Sequence, residues 1–201
     1  MVMKKMDELT PYSEGLVLTS SASQKPIEGT IDSILDECAR DILLSHPLSK
    51  LPLTSIIPTP IGQTDGSGLI QLPSDYLRLV SLQINGFKRD IVNLITPEDP
   101  LYKLQSNPFV RGSKSKPIAF LAQKVVGGTP RQVIHYFSLN IGDTHATEQF
   151  VYVALIPAEN LNSYLLDGLG WLAASKALVA LGSIPEGAKA MELFSQFNSR
   201  R

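Results

Sequence analysis

Three histidines, His46, His135 and His145, and one cysteine, Cys38, are the side chains of this 201-residue chain best suited to acid–base, nucleophilic or metal chemistry near neutral pH. A hydrolase needs a nucleophile, a base and an acid that orients the base. His46 stands at an expected helix end before Pro47, where a cation suits the helix dipole. His135, in Val-Ile-His-Tyr-Phe, is expected on the outward face of a strand, and His145 in the polar loop 142–148. Cys38 falls on the apolar stripe of a helix and reads as a packed thiol. No Gly-x-Ser-x-Gly elbow, His-Glu-x-x-His pair, Walker lysine motif or Gly-x-Gly-x-x-Gly occurs. Asp65-Gly66-Ser67-Gly68 offers one carboxylate, too few for a calcium loop. Structural roles are therefore expected for these residues, with no catalytic, metal or cofactor-binding set and no enzyme activity. A small hydrolase of unfamiliar kind, resting on His135 or His145, is the rival.

Two other groups of residues suggest contacts. Arg111, Lys114 and Lys116 place three positive charges within six residues, in a loop that could line a DNA passage or meet an acidic partner. The bland alternative is a solvated loop. Asn107-Pro108-Phe109 reads as a turn, and Gly127-Gly128 before Thr129-Pro130 as a turn and not a phosphate cradle. Trp171, Leu172, Ala173, Ala174 and Leu178 belong to a helix that is apolar nearly all round. Such a helix needs cover on several sides, from neighbouring subunits or from the core of a single chain.

Net charge is −1 with a pI near 6.3, so the molecule as a whole has no strong pull toward nucleic acid. Charged residues make up 18%, below the usual ~25%, which suggests that partners bury some surface. One cysteine excludes an internal disulfide and fits a reducing cytoplasm. The start, MVMKKMDELTPYSEG, lacks the apolar run of a signal peptide, and no segment is long and apolar enough to span a membrane.

The elements expected to position these residues follow from periodicity. Residues 1–29 carry no sustained period and read as an extended or disordered arm. Thr30 suits a helix cap, and Ile31, Ile34, Leu35, Cys38, Ala39, Ile42 and Leu43 recur at helical spacing up to the stop at Pro47. Short strands are expected at 69–72, 77–84, 89–95, 118–123, 133–138 and 150–156. Asn85-Gly86 is the hairpin signal joining the second to the third. Helical turns are expected within 98–105, a long helix from near Ala158 to Leu181 and its stop Gly182, and a last helix over 186–197 before a polar basic tail. The expected fold is α+β: residues 30–52 and 158–201 form a helical bundle, and residues 53–157 a long antiparallel sandwich or barrel-like insertion.

Three stretches together resemble the head-to-tail adaptor, or ring, proteins of short-tailed bacteriophages, including the crAss-like phages. The first is Ile34-Leu35-Asp36-Glu37-Cys38-Ala39-Arg40 with Leu43-Leu44, Pro47 and Leu51-Pro52. The second runs from Asp65-Gly66-Ser67-Gly68 to Leu72-Pro73-Ser74-Asp75-Tyr76-Leu77-Arg78-Leu79-Val80. The third holds Leu165-Leu166-Asp167-Gly168 and Leu172-Ala173-Ala174-Ser175. Together they cover roughly residues 30–181. The resemblance implies a structural virion protein, assembled in the host cytoplasm and placed at the head–tail junction. It implies a ring of twelve copies docked on the portal protein, which extends the DNA channel and offers a surface to other ring or tail proteins. Genomic DNA would pass through without sequence-specific binding, and neither a membrane nor a cofactor is involved. Two alternatives stay open: a tail, neck or head-completion subunit that does not touch the portal, and a non-specific nucleic-acid binding module.

Overall fold

The computed structural model describes Lys5 and residues 21–107 and 109–199. In chain order the elements are α1 (Ser21–Ser45), β1 (Leu53–Ile56), β2 (Ile61–Gly62), β3 (Gly68–Gln71), β4 (Tyr76–Ile84), α2 (Pro100–Leu104), β5 (Ile118–Val126), β6 (Thr129–Phe137), β7 (Thr147–Ala154), α3 (Ser163–Ala180) and α4 (Ile184–Ser199). The chain is an α+β protein with two compact units, Met1–Lys50 with Leu155–Arg201, and Leu51–Ala154. Among the described residues, no helix is long and apolar enough to cross a membrane.

In the helical unit, α1 begins at Ser21, nine residues before the expected cap at Thr30, so residues 21–29 are helical and not an extended arm. Pro26 and Gly29 lie inside it. The rest of the expected arm, Lys5 apart, lies outside the described residues, as do Pro108 and the tail arginines Arg200 and Arg201. The stripe holds: Cys38, Ala39, Ile42 and Leu43 are all buried. α1 packs against α3, and α3 against α4.

Asn162 caps α3, its Oδ1 accepting from the Leu165 N–H at 3.0 Å. The expected start near Ala158 is instead a short 3-10 turn, Ala158–Asn160. Gly182 ends the helix with φ 86°, and Ser183 N–H reaches back to the Leu178 carbonyl at 2.9 Å. Close approach of α4 depends on small residues. Gly168 faces the Phe197 ring, Gly187 faces Val179, and Ser175 Oγ donates to the Gly187 carbonyl at 2.8 Å.

These contacts answer the question raised by the apolar helix. Leu172, Ala173, Ala174 and Leu178 are buried within this chain, under α1 and α4, so a second copy cannot reach them. Trp171 is only half-buried, with the Lys5 ammonium 4.1 Å above its ring.

The exception on α3 is Lys176, whose Nζ lies 2.8 Å from both Glu37 Oε1 and Asp41 Oδ2 of α1. Burial would lower the Lys176 ammonium, but the hydrogen bonds to Asp41 and Glu37 outweigh it and hold its pKa above the usual range. Both carboxylates are substantially exposed and Lys176 is partly so, and Lys176→Met should cost less than about 1 kcal/mol. Urea midpoints at low and high salt check this: the difference should shrink as salt rises, and a salt-independent loss would assign the effect to packing.

The β unit holds two antiparallel sheets, β1-β7-β4 and β2-β3-β6-β5, and neither closes into a barrel. The strand expected after Asn85-Gly86 does not form. Asn85 N–H instead donates to the Ala146 carbonyl at 2.8 Å, and β4 pairs with β7. The segment 88–95 keeps only single bridges, Ile91 with Leu82 and Ile95 with Phe120. The inward–outward alternation of a regular strand also breaks in β4. Leu79 and Leu82, three residues apart, are both buried, because the register shifts between Leu79 and Ser81. β7 is the central strand of its sheet, and its Phe150 and Tyr152 form an aromatic row with Tyr76 of β4. The short α2 falls inside the expected 98–105, capped by Asp99.

Candidate functional site

Three loops meet beside the sheet β2-β3-β6-β5: 63–67, 105–117 and 138–146. The first is a tight turn in which Asp65 Oδ1 accepts from Ser67 N–H at 2.9 Å and Ser67 Oγ at 2.6 Å. Gly66 takes φ 80° there, with the Leu139 carbonyl so close that no side chain would fit. These Ser67 bonds outweigh partial burial and hold the Asp65 carboxyl below its usual range. Ser67 Oγ lies 3.0 Å from His135 Nε2. Because the hydroxyl proton goes to Asp65, the network assigns the ring proton to Nε2 as the donor.

His135 is thus not on an outward face. Its ring sits between Phe120 (5.0 Å) and Phe137 (4.4 Å), and its Nδ1 is buried with no hydrogen-bond partner among the described residues. Burial, aided by the Lys124 charge and opposed by Asp65, lowers its pKa to about 4. The trio contains serine, histidine and aspartate but in the wrong order for hydrolysis. The carboxylate holds the hydroxyl and leaves the far imidazole nitrogen alone, and Ser67 is only 1% exposed. The trio ties the turn 63–67 to β6.

The other reactive types are equally engaged. His145 Nδ1 lies 2.7 Å from the hydroxyl of fully buried Tyr136, whose pKa burial drives far upward. His46 is buried near the Phe197 ring, 6.0 Å away. Burial pushes the Cys38 thiol up to about 11, so it stays protonated at neutral pH. Among the described residues no three His, Cys, Asp or Glu side chains gather as a metal site would require.

Gly68 gives this packing a test. A methyl group there would collide with the Tyr136 hydroxyl and Cζ, and that ring has no room to move. Gly68→Ala should destabilise the chain by about 1–3 kcal/mol in denaturant titration. A neutral or stabilising result would mean that the ring yields.

The basic loop is largely occupied. Arg111 Nη1 donates to the Asp65 carbonyl at 2.9 Å, and Lys114 Nζ lies 2.7 Å from Asp143 Oδ2. That hydrogen bond from Lys114 holds the Asp143 carboxyl below its usual range. Gly112 N–H donates to buried Gln105 Oε1 at 3.0 Å. Two of the loop's three cations therefore tie neighbouring loops together, while Lys116 is exposed.

A second pair of cations escaped the sequence reading. β5 and β6 run to a two-residue turn at Gly127 (φ 58°) and Gly128 (φ 81°), both left-handed as a type I′ turn requires. This sets Lys124 directly opposite Arg131. β3 pairs with β6 over 133–136 and Leu72 N–H still reaches the Gln132 carbonyl at 3.2 Å, so beyond Gln132 the hairpin has two strands and no further sheet partner among the described residues. Its outer part, 123–132, has no buried residue, and Val125 is 72% exposed. The Gly-Gly turn was the available signal, but strands ending at 123 and starting at 133 stopped short of the two cations.

No protein-family model matches this α+β chain, and no curated protein matches it.

Proposed function

We propose that the chain is a structural, non-enzymatic subunit of a bacteriophage virion, a head-to-tail connector ring protein. Its copies dock on the portal protein, extend the DNA channel and offer an attachment surface to tail proteins. The reading includes a finer view of the fold: α1, α3 and α4 act as a helical bundle, and the two sheets act as a sandwich-like insertion. Its place is the head–tail junction, and DNA passes without sequence-specific contact.

The observation that carries the reading is the surface left without cover. The β5–β6 hairpin extends past its sheet with Val125 exposed, Phe109 is 95% exposed, and the α3–α4 turn exposes Val179, Leu181 and Ile184. Apolar surface of this kind suits a subunit that is completed by assembly. The resemblance of residues 65–80 supports the same class. In the fold these residues make the β3–β4 connection, where Asp75 accepts from the Tyr152 hydroxyl at 3.1 Å.

Mass photometry of the chain with the portal ring encoded nearby tests the reading. A discrete added mass of about twelve subunits, seen only with the portal, is the expected result. No added mass at micromolar concentration would remove portal docking and leave a more distal tail or neck subunit.

A further inference from the structure

We infer that the outer half of the β5–β6 hairpin is a docking arm for a second copy of this chain. Its basic face would sit in an acid-rimmed groove of that copy's helical unit. This deepens the ring reading and rests on it.

The arm carries a mismatch that needs a partner. Between 121 and 132 there are two cations, Lys124 and Arg131, and no acidic residue. The register sets them face to face across the two strands. Like charges directly opposite one another destabilise a hairpin, and a two-stranded ribbon has little stability to lose. An acidic surface laid over that face would turn the repulsion into attraction. The opposite face shows Val125 and Pro130, so the arm offers charge on one side and apolar surface on the other.

The helical unit contains a matching hollow of about 480 Å³. Asp36 and Glu37 of α1 rim it, and Leu155, Ile156 and Pro157 line the other side. A second hollow shares Asp36 and Pro157 and adds Glu159. Lys176 already holds Glu37, and Arg40 is the one cation in either lining, so Asp36 and Glu159 against one guanidinium leave a net charge of −1, opposite in sign to the arm's +2. Asp36, Glu37 and Glu159 are all exposed. Nucleic acid is the less suitable occupant: two cations make few phosphate contacts, and residues 121–132 contain no aromatic ring on which a base could stack.

Arm and groove are different surfaces, so the contact is head-to-tail. Each copy gives one arm and receives one, a geometry that closes into a ring or grows into a filament.

Sedimentation of the full chain at low salt, from micromolar to several hundred micromolar, tests this. The wild type should associate, and Lys124→Glu with Arg131→Glu should weaken association at least about tenfold, as should Asp36→Lys with Glu159→Lys. Mixing the two variants should give dimers and nothing larger, since one offers only a working groove and the other only a working arm. Reversing all four charges in one chain should restore association. Circular dichroism checks that each variant folds. Arg131→Gln, which removes the like-charge pair, should associate less while unfolding no more easily than wild type.

A wild type that stays single throughout this range overturns the inference, as does association indifferent to either set of reversals. If the hairpin set alone matters, and also abolishes salt-sensitive DNA binding, the arm belongs to nucleic acid. A wild type that stays single in solution but still adds to the portal ring removes this contact and leaves the ring reading standing.

Discussion

Acidification from pH 6.5 to pH 4 is expected to strip about 1–2 kcal/mol from the stability of the chain as His135 becomes protonated. An imidazole in the unfolded chain titrates near 6.5, whereas in the fold His135 does so at about 4. A folded pKa below the unfolded one means that the unfolded chain takes the proton first. The stabilisation is therefore complete above pH 6.5, shrinks as the pH falls through this window, and is gone below about 4. The range already allows for screening, because the ring is only partly buried. The cause is local: burial among Phe120 and Phe137, with Lys124 on the same face of the hairpin. Denaturant titrations at several pH values give the slope. His135→Phe should begin less stable, because Ser67 loses its ring partner, yet show a flatter profile across the window. An equally steep profile in that variant would assign the titration to other groups.

Phe150→Ala should produce the largest single loss, about 3–5 kcal/mol. Phe150 is fully buried on the central strand of its sheet, with Tyr152 at 5.2 Å and Tyr76 at 6.1 Å between ring centres. β1 and β4 flank it on either side, so no free edge exists from which the sheet could collapse into the vacated space. Val125→Ala, on the exposed arm, is the contrast and should change stability by less than about 0.5 kcal/mol. The only tryptophan, Trp171, belongs to the helical unit, so its fluorescence reports that unit while circular dichroism reports both. A loss below 1 kcal/mol for Phe150→Ala would mean that its neighbours close the cavity.

What could be read from the sequence was the part governed by short-range rules. The stripe from Cys38 to Leu43, the stop at Gly182 and most of the strands follow from spacing, and the structure contains them. The failures have tertiary causes. Asn85-Gly86 is a strong local turn signal, yet β4 is bound on one side by β7, more than sixty residues on, and the segment after the turn keeps only bridges. The bulge beyond Leu79 shifts the inward face of β4 in a way no alternation rule anticipates. At the site, the residue types were visible but not their pairings. Arg111 and Lys114 looked available because Asp65 and Asp143, their partners, lie 46 and 29 positions away. Lys124 and Arg131 were overlooked because neither belongs to a charge run, and only the two-residue turn brings them opposite each other.

The pairing of β1 with β7 also bears on how the chain forms during synthesis. Leu53 lies opposite Val153, so the sheet unit begins and ends on adjacent strands and can close as soon as β7 has left the ribosome. The buried stripe of α1 must wait longer, because α3, which covers it, starts only at Ser163. At about 5–20 residues per second, roughly ten seconds separate the emergence of α1 from that of its cover. During that interval Ile42 and Leu43 have no lasting shelter. The sheet unit can mature first, and a nascent α1 is the part of the chain most in need of a chaperone.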